Sequence, residues 1–214
     1  MKLETYKVNS IQKKNIILSG KGNHSMWNDA NSLTSFISPW DNKPVKKIEF
    51  KAIHNSDKIF FKFKVDDNRV HIHPSDDKND SLNNSDRVEL FFRSDVSLNP
   101  YYCLEIDPLA RFMDFKAKPN KEFDFNWNWS VQDIEVKSTI QPNYFIVEIA
   151  ISIQFLKDLN LLKNGKIETG IYRAKYNQQK DNSFKPIWIT WVNPNTEAPN
   201  FHIPTSFGIL SLEN

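Results

Sequence analysis

Two tryptophans lie three residues apart in "PIWITWVN", Trp188 and Trp191. Side chains alternate between the faces of a strand, so this spacing turns the pair to opposite sides. One belongs to the core and the other to the surface. An exposed indole offers a flat, polarisable face to the C–H side of a sugar ring, and polar neighbours then bind the hydroxyls. Trp127 and Trp129 in "NWNW" share a face and read as core packing, and Trp27 and Trp40 as structural residues of the N-terminal loops.

Charged residues follow the same alternation. Arg173 in "YRAKYN" lies opposite Tyr172 and Ala174, while Glu89 in "RVELFFR" and Glu105 in "YYCLEID" lie opposite the apolar faces of their own strands. If these strands are neighbours, three charged groups meet on one sheet face. A guanidinium fork and carboxylates hydrogen-bond vicinal hydroxyls. The same groups would equally serve as cross-strand ion pairs on a solvated face, and both readings stay open. Glu89 and Glu105 also invite comparison with a glycosidase pair, which needs carboxyls about 5 to 9.5 Å apart and one raised pKa. No nucleophile motif or phosphate-cradling glycine loop accompanies them, so the expectation is a protein that is not an enzyme.

"HIHPSDDKND" places His71 and His73 on one strand face, followed by Asp76, Asp77 and Asp80. Zinc would need a third protein ligand, and the aspartates lack EF-hand spacing. No cofactor is expected; calcium in an aspartate-bearing loop is the metal expected if one binds.

The elements that must position these residues are mostly strands. "KIFFKFKV", "RVELFFR", "YYCLEID" and "YFIVEIAI" alternate with period two, "GIYRAKYN", "PIWITWV" and "FGILSL" add more, and "KKIEFKAIH" and "WSVQDIEV" are weaker cases. One segment has helical spacing, "SIQFLKDLNLL", with Ser152 as its N-cap. Many short strands with one short helix predict an all-β fold, an antiparallel β-sandwich. With no repeat and no Pro/Ser linker, residues 1–214 read as a single domain.

Composition narrows the partners. Hydrophobic residues at 39% and charged residues at 25% support a packed core and argue against disorder. Twenty-eight basic residues are interleaved with 26 acidic ones for a net charge of +2, so no basic face for nucleic acid is expected. The single cysteine, Cys103, excludes an internal disulfide. The opening stretch "MKLETYKVNSIQKKNIILSG" has no apolar run long enough for a signal peptide, and no stretch is long enough to span a bilayer. This predicts no membrane partner and a cytoplasmic chain as written, or an extracytoplasmic one where a leader has been removed. The oligomeric state is not legible.

Near the end, "NFHIPTSFGIL" holds a histidine, a proline and a glycine in an apolar stretch. Gly208 reads as a turn or close backbone approach into the last strand, Pro204 as a stiffener, and His202 as a buried, hydrogen-bonded residue rather than a ligand.

Taken in order, "WNDANSLTSFISPWDNKP", "FKFKVDD", "SDRVELFF", "YYCLEID", "YFIVEIAIS", "GIYRAKYN", "WITWVNP" and "NFHIPTSFGILSL" resemble the family-9 carbohydrate-binding modules and their stand-alone relatives, from about Asn15 to Leu212. The most specific pieces are Asp86, Val88 and Glu89, and the closing Phe201, His202, Pro204, Phe207 and Gly208. The resemblance implies a β-sandwich that holds a sugar, often at a glycan end, between aromatic side chains, with calcium in the loops of some members. Trp191 resembles the family's binding-side tryptophan. The family's other clamping tryptophan precedes the Asp-x-Val-Glu strand; here "SDDKNDSLNNSD" has no aromatic, so that half of the clamp is absent or comes from another loop. The expected function is non-catalytic carbohydrate binding by Trp191, Arg173 and Glu105, with Glu89 and Trp188 beside them. The alternatives are a glycoside-active enzyme using Glu89 and Glu105, and a degenerate module serving protein interaction.

Overall fold

The computed structural model describes residues 3–12, 16–42 and 44–213. In chain order the strands are β1 (Thr5–Ser10), β2 (Ile48–His54), β3 (Lys58–Asp66), β4 (Arg87–Arg93), β5 (Tyr101–Ile106), β6 (Phe112–Lys118), β7 (Glu122–Asp124), β8 (Ile134–Gln141), β9 (Tyr144–Ser152), β10 (Leu162–Lys163), β11 (Lys166–Gln178), β12 (Phe184–Thr190) and β13 (Gly208–Leu212). Two short helices interrupt them, α1 (Lys78–Asn83) and α2 (Ile153–Asp158).

The strands run in the order β7-β6-β5-β4-β11-β13-β1-β2-β3-β9-β8, with β10 and β12 also paired to β11. β1 joins the two halves of this path. Its residues Thr5 to Val8 pair with β13 and its last two, Asn9 and Ser10, with β2, both in parallel. The all-β expectation holds, but the antiparallel two-sheet sandwich is corrected to one mixed, curled sheet. The reason is the change of partner halfway along β1, which leaves no break between the halves.

The halves face each other across one core. Val88, Leu90 and Phe92 of β4 and Ile167 and Ile171 of β11 meet Phe61, Phe63 and Val65 of β3 and Val147 and Ile149 of β9. Phe61 and Phe92 touch across the gap, with ring centroids 6.4 Å apart. The outer faces are also covered. Ile16, Leu18, Met26 and Trp27 pack on Phe60 and Ala150, and Trp27 Nε1 donates to Glu148 Oε1 at 2.7 Å. On the other half, Phe201 and Phe207 close over Phe91, Tyr101, Cys103 and Tyr172. β4 and β5 are therefore buried along their whole length, where alternation predicted half-burial.

Ser152 caps α2, its Oγ accepting from the Phe155 amide at 3.2 Å, as the sequence predicts. α1 falls where a loop was expected. Asp77 caps it by accepting from the amides of Asn79 and Asp80 at 2.8 and 3.0 Å. A two-turn segment without apolar periodicity gives no helical signal; the cap alone marks it.

Candidate functional site

Strand register decides which charged groups meet. Glu89 of β4 is directly opposite both Glu105 of β5 and Tyr172 of β11, and Ala174 of β11 is opposite both Arg87 and Trp188. Arg87, Glu89, Glu105 and Trp188 thus share the outer face of this half. Arg87 Nε lies 2.9 Å from Glu89 Oε1 and 2.7 Å from Glu105 Oε2, though neither contact has hydrogen-bond geometry. The end of α1 holds the other side of the guanidinium, Nη1 donating to the carbonyls of Asn83 and Leu82 at 2.9 and 3.3 Å.

The electrostatics follow from two carboxyls on one cation. Burial, reinforced by the Glu105 carboxylate and only partly offset by Arg87, pushes Glu89 up to about 8. Glu89 therefore carries a proton at neutral pH. Burial draws Arg87 down, but Glu105 and Glu89 outweigh it and hold the guanidinium above its ordinary value.

Beside this cluster, Trp188 is half-buried. Its indole lies under the Arg87 guanidinium, with the central carbon 5.5 Å from the ring centroid. Phe201 meets it edge-on at 5.8 Å, and Trp40 flanks Phe201 at 5.9 Å. A cleft of about 140 Å³ opens here, lined by Lys121, Trp188, Pro199, Asn200, Phe201 and His202. Its floor is fixed by a hydrogen bond of 2.9 Å between the Tyr101 hydroxyl and His202 Nδ1. Burial, aided by the nearby Lys121 charge, lowers His202 to about 4, so the imidazole is neutral. Lys121 enters from the β6–β7 hairpin, where Asn120 and Lys121 take left-handed φ of 63° and 61°. Asparagine accepts that conformation readily, whereas lysine pays on the order of 1 kcal/mol.

The structure separates the predicted site residues. Trp188 and Trp191 do face opposite sides, but in the reverse sense. Trp191 is only 6% exposed and lies in the main core, its ring against Gly208, while Trp188 is the one outside. Ile187 and Ile189 share the face of Trp191, and that apolar stripe is the sequence signal for its burial. Arg173 is 1% exposed and points inward. It is opposite Val88, not Glu89, and this one-residue offset puts it on the other side of the sheet from Glu89 and Glu105. Its Nη2 donates to Asp67 Oδ2 at 2.5 Å, and Lys175 Nζ joins Asp67 and Asp86 at 2.9 and 2.8 Å. Burial lowers the Arg173 pKa, with Asp86 and Asp67 opposing. The expectation that Arg173, Glu89 and Glu105 meet on one face is corrected accordingly. Arg87 takes that place; its alternation with Glu89 was visible in the sequence. Lys121 sits in a turn and left no signal.

The histidine pair is otherwise engaged. His71 stacks on Phe184 with centroids 3.6 Å apart, and His73 Nε2 lies 3.6 Å from Asp80 Oδ2. With Asp77 capping α1, no three His, Cys, Asp or Glu side chains converge as metal ligands among the described residues. No helix among the described residues is long and apolar enough to cross a membrane.

A family profile described as "Carbohydrate family 9 binding domain-like" matches residues 18–214, and the chain belongs to that family. No curated protein matches significantly. Among solved structures, a Bacteroides uniformis protein provisionally named as carbohydrate-binding superposes with a TM-score of 0.74 at 17% identity, covering 99% of this chain and 100% of that one. A family 9 carbohydrate-binding module from Caldicellulosiruptor kristjanssonii in complex with glucose superposes with a TM-score of 0.63 at 12% identity, covering 98% and 96%. Its cellotriose complex gives 0.63 at 13% identity, covering 98% and 94%. At these identities the likeness is one of fold.

Proposed function

We propose that this chain binds carbohydrate without cleaving it, in the cleft beside Trp188. The observation that carries the reading is the half-exposed indole on the same sheet face as Arg87, Glu89 and Glu105. Trp188 supplies a stacking surface, with Lys121 and Asn200 lining the same cleft for polar groups of the ring, while the buried Arg87 holds the indole from behind. Family membership supports the carbohydrate class.

Hydrolysis by Glu89 and Glu105 is disfavoured by access. Both sit against one guanidinium nitrogen, at 2% and 5% exposure, so a scissile bond has no path between them. One indole contributes about 0.5–1.5 kcal/mol beyond area burial, so a dissociation constant near 1 mM, about −4.1 kcal/mol, is expected. A glycan array with the intact protein, followed by calorimetry on each hit, tests the reading. Binding that falls at least fivefold in Trp188→Ala, with no cleavage products, supports it. Binding unaffected by that substitution moves the site elsewhere.

A further inference from the structure

Lys121 is a cation without a counterion at the mouth of the cleft. Among the described residues no carboxylate lies within ion-pair distance of it, although Lys116 on the same hairpin pairs with Asp124 at 3.2 Å. It lines the same cleft as Trp188. Its left-handed φ of 61° belongs to the tight turn between β6 and β7, which fixes where the lysine leaves the backbone. Asn200 adds a second donor. Its Oδ1 accepts from the His202 amide at 3.1 Å, which fixes the side chain and leaves the Nδ2 hydrogens without a protein acceptor among the described residues. Two free donors, Lys121 Nζ and Asn200 Nδ2, thus line one end of the cleft. A neutral sugar presents hydroxyls that both donate and accept; a carboxylate only accepts.

We propose that the cleft selects acidic sugars, with the ring on Trp188 and a hexuronate carboxylate held by Lys121 and Asn200. The proposal rests on the carbohydrate-binding reading and names its substrate class.

The test compares methyl β-glucuronide with methyl β-glucoside, which differ only at the exocyclic carbon. Native protein, Lys121→Asn and Trp188→Ala are titrated by ligand-observed NMR at low and high salt. Asparagine suits the left-handed backbone, so Lys121→Asn removes the charge while keeping the turn. An exposed ion pair predicts an advantage of about three- to fivefold for the glucuronide, shrinking towards parity in Lys121→Asn and in high salt. Equal binding of both sugars by native protein, lost in Trp188→Ala, overturns the acidic preference and leaves the carbohydrate site standing. A glucuronide preference that survives in Lys121→Asn also overturns the proposal. No binding of either sugar, or of any array glycan, overturns both readings.

Discussion

Gly208 and Trp191 compete for the same space: a Cβ added to Gly208 would lie 2.6 Å from Trp191 Cζ3 and 2.9 Å from the Glu4 carbonyl oxygen. The glycine is required for close approach, and its φ lies outside the left-handed region. Gly208→Ala is expected to destabilise by about 1–3 kcal/mol, because neither the buried ring nor the backbone can give way cheaply. Calorimetric melting should show the loss, with sugar affinity of the folded protein intact. An unchanged melting temperature with lost binding would make the glycine functional.

The two tryptophans should separate stability from binding. Trp191→Ala removes a buried indole from the main core and is expected to cost about 3–5 kcal/mol in urea unfolding. Trp188→Ala should cost much less and act on sugar affinity instead. Reversal of these outcomes would return the site to Trp191.

His202 should make the fold acid-sensitive. Its pKa is about 4 when folded against an ordinary 6.5, so between those values the unfolded chain takes up a proton that the folded protein refuses. Stability therefore falls as pH drops from 6.5 to 4, by at most about 3 kcal/mol. Denaturant unfolding at pH 7 and pH 4.5 should show the native protein losing more than His202→Gln. Parallel losses would refute this.

Glu89 has the opposite sign. Raised to about 8 from 4.5, it holds a proton in the folded state that the unfolded chain releases between those values. Stability from this group is full below pH 4.5 and is lost as pH rises towards 8. Glu89→Gln should flatten that slope; a steeper slope in the variant would contradict the assignment.

Breaking the inner ion cluster should be costly without touching the cleft. Arg173→Ala leaves the buried Asp67 with Lys175 and the more distant Lys46 as its cations, and a loss of about 3 kcal/mol is expected. Sugar affinity of the folded fraction should match the native value. A binding defect with unchanged stability would place Arg173 in the site.

Most strands were legible because their apolar periodicity survives in the sequence: β3 and β9 are read correctly from Ile59 to Val65 and from Phe145 to Ile151. What period two cannot give is which face of a doubly covered strand holds the ligand. Glu89 and Glu105 were correctly placed together, whereas Arg173 was assigned to their face because strand pairing has a register that no single strand encodes. Trp188 and Trp191 show the same limit. Their opposition was readable, and the apolar stripe of Ile187 and Ile189 marked the side of Trp191 as the core, but the close fit of its ring against Gly208 is known only after folding. Lys121 was invisible for another reason: a turn residue carries no periodicity.

β1 brings a kinetic consequence. Thr5 pairs with Ile209, so the two halves of the sheet are linked through a contact between residues about 200 apart along the chain. Closing a loop of that length costs about 3 kcal/mol more than closing one of ten residues, and that cost falls on the step that joins the halves. Refolding should be slow for a protein of this size. During synthesis the half containing β2, β3, β8 and β9 can assemble early, yet its partner strand β1 stays half-paired until the ribosome has released β13.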